Sequence, residues 1–433
     1  MNNLSDTLSI LIPMYNEETT IATTINELMR QGLHERYRVI VCDDASIDES
    51  VNKAEQAIKE HSNISVIINK PNGKKIGAIK TGLQSVTTPY VLLLDADSMI
   101  IELKEGVLDT LVKKMQNQHI SAMGFKVRPF ANNLIEYLQA IEYMMATDGL
   151  RKSLGVIVCL AGLGSLWEVN SLAIVLERHS GVFEGDDLES TMLATMLGYK
   201  VRYEAHNAII TTKLKNNLSE LIKQRTHIWD VGLIRTFVDT PGILKQLGRE
   251  GAFFRSVLVT EVLIHPFKII SMLGLFLVLL LMFMRNLDLT FSNFFVSRLN
   301  DMTLEILRAT SWLYILLWLI NTILIGLTIR SFSYGLLFIF YFTYYMATPL
   351  IPLMTGSFEQ ALGVTYLWWY APCIFLILIS IDSRETKSRA LILGLLLPFY
   401  FAFLLTIPRT IGFIQYIQLQ QKSHTKILCR LPG

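Results

Sequence analysis

The chain has 433 residues, a formal net charge of +2 and a hydrophobic content of 51%. So balanced a charge gives no electrostatic argument for a nucleic-acid partner. Four scattered cysteines, Cys42, Cys159, Cys373 and Cys429, with no Cys-X-X-Cys spacing, argue against a zinc site or a disulfide framework and are compatible with a reducing cytosol.

The first six residues lack the basic start and apolar core of a signal peptide, so the amino-terminal domain is expected in the cytoplasm. Residues 8–13 read as a first strand, followed by the polar turn Tyr15-Asn16-Glu17-Glu18. Ile21, Ile25, Leu28 and Met29 recur at helical spacing across residues 19–29. Residues 38–42 form a second strand ending in Asp43-Asp44-Ala45-Ser46, with a helix to about residue 60. Residues 64–68 make a third strand. The turn Asn72-Gly73-Lys74-Lys75 then leads to a short helix over 76–85. Tyr90-Val91-Leu92-Leu93-Leu94 is a continuously apolar run that breaks into Asp95-Ala96-Asp97, the pattern of a fully buried parallel strand. Strands alternating with helices predict right-handed crossovers and a mainly parallel sheet. Ligands of such sheets bind beyond the carboxyl ends of the strands. Three ends deliver Tyr15, Asn16 and Glu17, then Asp43 and Asp44, then Asp95 and Asp97, to one crevice.

Alternation along a strand predicts that Asp95 and Asp97 share a side, as two hard oxygen donors. Two like charges so placed call for a compensating cation, and Mg²⁺ or Mn²⁺ carrying a phosphate suits them. Tyr15 reads as a ring to stack on a base or as a plain loop aromatic, and Asp44 as an acceptor for a base or ribose. Lys74 and Lys75 suit phosphate oxygens and equally suit a solvated basic turn. With no Gly-X-Gly-X-X-Gly and no Gly-Lys-Ser/Thr loop, neither a Rossmann dinucleotide site nor a P-loop is supported.

Ile10-Leu11-Ile12-Pro13-Met14-Tyr15-Asn16-Glu17, Asp43-Asp44-Ala45-Ser46 and Leu94-Asp95-Ala96-Asp97 together resemble the nucleotide-sugar signatures of the GT-A glycosyltransferases of family 2. The series continues through Gly124-Phe125-Lys126-Val127-Arg128-Pro129, Ala140-Ile141-Glu142-Tyr143 and Leu160-Ala161-Gly162-Leu163-Gly164-Ser165-Leu166. It ends with Glu184-Gly185-Asp186-Asp187 and Gly198-Tyr199-Lys200-Val201. In this order it is similar to the membrane-embedded synthases of poly-N-acetylglucosamine, hyaluronan, chitin and cellulose. The resemblance implies that Tyr15, Glu17, Asp44, Lys75 and Asp95 hold a uridine nucleotide, with Asp97, beside Asp95, on a divalent metal. It makes Asp187 the base that deprotonates the acceptor hydroxyl, giving a single displacement with inversion. As a residue type in its place, Asp187 is also a carboxylate at the N-terminus of an expected helix over 188–197. Asp186, Gly162 and Gly164 fall on the acceptor side, where glycine lets backbone approach a sugar.

The family places Gln-X-X-Arg-Trp on an interfacial helix. Here the run is Gln224-Arg225-Thr226-His227-Ile228, with Trp229 one position late, and one helical residue turns a side chain by about 100°. Gln224 and Arg225 keep a place at the diphosphate or acceptor. Trp229 reads equally as an acceptor platform and as a membrane-interface anchor.

Long apolar runs after about residue 255 predict spans near 263–284, 312–329, 334–354, 367–381 and 390–407. Five spans put the tail outside, whereas its Lys422, Lys426 and Arg430 favour the cytoplasm, so four or five spans remain open. The expected organisation is a cytoplasmic GT-A domain over 1–215, interfacial helices over 216–262, an α-helical transmembrane region over 263–410 and a basic tail over 411–433. The expected activity is transfer from a UDP-sugar, N-acetylglucosamine or glucose, to a polysaccharide at the inner membrane. A lipid-linked acceptor, or an inactive subunit of an export complex, are the alternatives. Membrane lipid is an expected partner, and an export partner or homo-oligomer is compatible.

Overall fold

Strand β1 (Leu8–Met14) is buried along its whole length, as a strand covered on both faces must be. It anchors a computed structural model that describes residues 6–226 apart from 60, 102, 104, 145–158 and 182–184. Beyond residue 226 it describes chiefly 273–280 and 358–380, with isolated positions up to 415. The other strands are β2 (Arg38–Asp43), β3 (Ile64–Ile68), β4 (Tyr90–Leu94), β5 (Ser98–Ile101), β6 (Ala122–Val127), β7 (Gly164–Glu168) and β8 (Val201–Thr212). The helices are α1 (Ile21–Arg30), α2 (Leu33–Arg36), α3 (Ser50–Ile58), α4 (Lys74–Leu83), α5 (Val107–Gln118), α6 (Leu134–Met144), α7 (Val169–Arg178), α8 (Asp186–Met196), α9 (Leu218–Gln224) and α10 (Phe358–Ser380).

The eight strands form one sheet in the order β3-β2-β1-β4-β7-β6-β8-β5. The first four run parallel, joined by crossover helices as the alternating pattern predicts. The remainder departs from the expected mainly parallel sheet. β7 is antiparallel to both β4 and β6, β6 and β8 are parallel, and β5 is antiparallel to β8, so the sheet is mixed. The chain also leaves the alternating pattern just past Leu94. The Ser98 amide donates to the Asp95 carbonyl at 2.9 Å, a tight turn that leads directly into β5 with no crossover helix. Asp95 and Asp97 therefore sit in a turn between strands, and the strand alternation invoked to align them does not apply.

Alternate residues of β1 divide the core between the two faces of the sheet. Ile10 and Ile12 join Ile21, Ile25 and Leu28 of α1 on one face. Leu11 joins Ile40, Cys42 and Val91 with Ile76 and Ile79 of α4 on the other. The approach of α4 to β1 is close enough that a Cβ at Gly82 would lie 2.4 Å from Leu11 Cδ1.

Two helix starts differ from the pattern reading in a way that bears on the site. α4 begins at Lys74 rather than residue 76, and α8 at Asp186 rather than residue 188, so Lys75, Asp186 and Asp187 occupy first turns. The chain divides into two compact units, Met1–Ile243 with Leu376–Ala390, and Leu244–Phe375 with Leu391–Gly433. Among the described residues no helix is long and apolar enough to cross a membrane. The expected span 312–329 lies outside the described residues, as do most of 263–284, 334–354 and 390–407, while α10 begins at Phe358, ahead of the expected 367.

The contact between α4 and β1 yields a test by chemical denaturation. Gly82→Ala is expected to destabilise by about 1–3 kcal/mol through overpacking. In a Leu11→Ala background, itself costing about 2–5 kcal/mol, the same change is expected to cost nothing. Equal costs in both backgrounds would contradict the packing described.

Candidate active site

The strand ends are fastened to one another before any ligand is considered. Asn16 takes a left-handed conformation (φ 54°), which asparagine tolerates better than most residues. Its amide donates to Ser46 Oγ at 2.9 Å, its Oδ1 accepts from the Ile47 amide at 3.0 Å, and the Glu17 amide donates to Ser50 Oγ at 2.6 Å. The turns after β1 and β2 are thus stitched together. Asp44 is tied down further. Its Oδ1 accepts from Asn69 Nδ2 at 2.6 Å and from the Gly73 amide at 2.8 Å, and its carbonyl accepts from Asn72 Nδ2 at 2.7 Å. A Cβ at Gly73 would come within 2.9 Å of Gly77 Cα, so glycine is what lets that amide reach the carboxylate. Asp44 Oδ2 is buried and has no hydrogen-bond partner among the described residues.

These turns line an open cleft of about 220 Å³ whose walls include Tyr15, Glu17, Asp44, Lys75, Asp95 and Asp97. All the residues assigned to the donor on strand ends, and Lys75 of α4, therefore meet in one place. Tyr15 is 47% exposed there, a ring face open to solvent. Burial pushes the Glu17 carboxyl above its ordinary range, the Thr20 hydroxyl opposes that, and the charge of Asp97 adds to it. Thr24 Oγ1 of α1 donates to the Ala96 carbonyl at 2.7 Å, bracing the turn that carries Asp95 and Asp97.

A second, much smaller cavity of about 30 Å³ adjoins the first, sharing Pro13, Lys75 and Asp95 and adding Gly162, Asp186 and Asp187. At the junction Lys75 Nζ lies 2.7 Å from Asp95 Oδ1 and 3.4 Å from Asp186 Oδ2. Burial alone would lower the ammonium's pKa, but the Asp186 and Asp95 carboxylates outweigh it and hold the proton firmly. Burial raises Asp95 to about 7, with Lys75 opposing and Asp97 reinforcing the rise. Asp187 is also pushed up, first by burial and then by Asp186. Its Oδ2 accepts from the Gly162 amide at 3.2 Å and its Oδ1 from the Leu188 amide at 2.9 Å. A Cβ at Gly162 would stand 3.0 Å from Lys75 Nζ and 3.5 Å from Asp95 Oδ2, so glycine keeps the space between the charges open.

Other expected site residues lie elsewhere. Gly164 opens β7, where a Cβ would strike Ile210 Cδ1 at 2.1 Å, so this glycine serves strand packing. Arg225 is buried and pairs with Glu142 of α6 at 2.8 Å, and neither it nor Gln224 lines either cavity. Trp229 lies outside the described residues. The pattern reading also passed over Asn69, which joins Asp44 to Thr81, whose Oγ1 donates to Asn69 Oδ1 at 2.7 Å. The strand-end rule that found Asp44 applies equally to the end of β3 and would have found it.

Residues 9–162 match glycosyl transferase family 2. Among known proteins the chain is 24% identical over 249 residues to a poly-β-1,6-N-acetyl-D-glucosamine synthase of Staphylococcus aureus, covering 54% of this chain and 57% of that protein. It thus spans little more than half the length of that relative. An uncharacterised glycosyltransferase of Haemophilus influenzae is 30% identical over 118 residues, 27% of this chain and 35% of that one. A mannosyltransferase from Pyrobaculum calidifontis, solved with GDP-mannose and Mn²⁺, aligns at 16% identity and a TM-score of 0.43, covering 61% of this chain and 73% of the other.

The Lys75 cluster makes an electrostatic prediction for the domain. Lys75→Met strands carboxylates that are 20–23% exposed beside an ammonium 32% exposed. Partial solvent screening brings the cost below that of a fully buried pair, to about 1–3 kcal/mol. Adding Asp186→Asn is expected to recover part of that loss in urea unfolding at neutral pH. A double variant as unstable as the sum of the two single variants would contradict the pairing.

Proposed function

We propose that the protein transfers a sugar, with inversion, from a UDP-sugar to a growing polysaccharide at the inner face of the cell membrane, and that residues 263–410 serve export of the polymer. The observation that carries this reading is the meeting of Tyr15, Glu17, Asp44, Lys75, Asp95 and Asp97 on one cleft, with Asp187 on the adjoining cavity. Tyr15 offers a face for the base. Asp44 Oδ2, a buried acceptor with no donor among the described residues, suits an N–H or O–H of the nucleoside. Lys75 stands between donor and acceptor sides as the counter-charge for phosphate.

Among the described residues no group of three or more histidine, cysteine or acidic side chains is placed to hold a metal alone. The Asp95 and Asp97 oxygens nonetheless fit a hard cation such as Mg²⁺ or Mn²⁺, whose further ligands would be diphosphate and water. Bound there, such an ion supplies charge stabilisation for the departing diphosphate. Asp187 acts on the other partner. It takes the proton of the acceptor hydroxyl as that oxygen bonds to the anomeric carbon, and the bond from that carbon to the β-phosphate oxygen breaks with its electron pair leaving on UDP. The raised pKa of Asp187 makes its carboxylate a stronger proton acceptor.

The match to a poly-N-acetylglucosamine synthase favours N-acetylglucosamine as the sugar and a polymer as the product. A second reading, single transfer to a lipid-linked acceptor, is favoured by the acceptor end: Arg225 pairs with Glu142 and lines neither cavity, and Ile228 stands at the family's tryptophan position.

Purified protein in lipid, given UDP-N-acetylglucosamine, UDP-glucose or UDP-glucuronate with Mg²⁺ or Mn²⁺, tests both readings. UDP release with one sugar, abolished by chelator, together with a ladder of products is expected. One sugar on a lipid carrier supports the second reading. No UDP release with any sugar overturns glycosyl transfer.

A further inference from the structure

A buried hydrogen-bonded staple lies immediately behind Asp186 and Asp187, made of residues that neither the donor site nor the base uses. α7 ends at Arg178, and His179, whose side chain is fully buried, turns under the start of α8. Its Nε2 lies 3.3 Å from the Asp186 carbonyl oxygen and 3.5 Å from Glu189 Oε2. Its Nδ1 accepts from the Gly181 amide at 3.0 Å, which places the ring proton of the neutral form on Nε2, facing those two acceptors. Glu189, 3% exposed, returns the tie: its Oε1 accepts from the Ser180 amide at 2.8 Å and its Oε2 from Ser180 Oγ at 2.7 Å. A carboxylate and an imidazole, both removed from water, are thus spent on joining the end of α7 to the first turn of α8.

That first turn is where placement matters. The Asp187 carbonyl accepts from Thr191 Oγ1 at 2.6 Å, and Thr191 Oγ1 in turn accepts from the Leu160 amide at 2.8 Å. The forward side of the turn is held by the amides of Leu160 and Gly162, ahead of β7, and its rear by His179. The rear contact reaches the peptide joining Asp186, the partner of Lys75, to Asp187. We infer that His179, locked by Glu189 and Ser180, is a positioning residue that fixes Asp187 in reach of the acceptor hydroxyl without touching the substrate. This rests on the assignment of Asp187 as the base. A displacement of about 1 Å in such a group costs on the order of 100-fold in rate.

The test compares turnover with equilibrium binding of UDP in the presence of Mn²⁺, on the full chain. His179→Leu fills the space but gives no hydrogen bond, and is expected to lower kcat by about 10- to 100-fold while UDP affinity and the KM for the sugar nucleotide stay unchanged. His179→Gln keeps an N–H donor where Nε2 stood and is expected to restore most of the turnover. His179→Asn reaches only the Nδ1 position and is expected not to, a comparison that holds even where the leucine variant does not fold. Glu189→Gln combined with His179→Leu is expected to be no slower than His179→Leu alone, because the two act as one unit. Equal rates for the glutamine and asparagine variants, or a parallel loss of UDP affinity and kcat, would overturn the inference. Wild-type protein that releases no UDP would instead overturn the glycosyl-transfer reading, and the inference with it.

Discussion

One ammonium group holds the active-site region together. Lys75 reaches from the first turn of α4 to Asp95 at the end of β4 and to Asp186 at the start of α8, and without it three carboxylates would crowd an incompletely solvated space. At the charge separations seen here the attraction, discounted for partial solvent screening, is worth about 1–3 kcal/mol, and its loss would leave repulsion in its place. The arrangement also explains the glycine at 162. A side chain there would stand between the ammonium and the carboxylates, and the Gly162 amide would not be free to orient Asp187.

Everything around that junction serves to fix the distances. The parallel half of the sheet presents three strand ends side by side because β1 lies between β2 and β4. β7 then enters antiparallel beside β4, and this brings the Ala161–Gly164 turn back over Asp95, whose amide donates to the Leu163 carbonyl at 3.4 Å. A purely parallel sheet would have carried that segment to the opposite edge. The antiparallel strand is therefore what puts the Asp95–Asp97 turn and the first turn of α8 within reach of one lysine. Fold and chemistry meet at this reversal.

How much of this was legible in the sequence follows from the range of each interaction. The strands through Leu94 were readable, because apolar runs broken by polar turns report local burial, and Tyr15, Asp44 and Asp95 stood at their ends. The mixed half of the sheet was not. Pairing of β7 with β4 depends on contacts some seventy residues apart that no local period encodes. Asp95 and Asp97 do reach the same cleft, though for a different reason than strand alternation: a turn braced by Thr24 holds them there. The His179–Glu189 staple was illegible for a related cause. A histidine after a helix and a glutamate in the next helix look like ordinary polar residues until the fold removes both from water.

The central claim is that the two sides of Lys75 do different work, donor binding by Asp44, Asp95 and Asp97, and proton removal by Asp187. Asp187→Asn keeps the shape of the side chain and the hydrogen bond from Gly162 while removing the base. The most direct measurement is UDP affinity, by calorimetry with Mn²⁺, alongside the rate of UDP release from the sugar nucleotide in this variant. The account predicts UDP affinity close to wild type and a rate reduced at least about 100-fold, the scale of a lost general base. Turnover at the wild-type rate would contradict it.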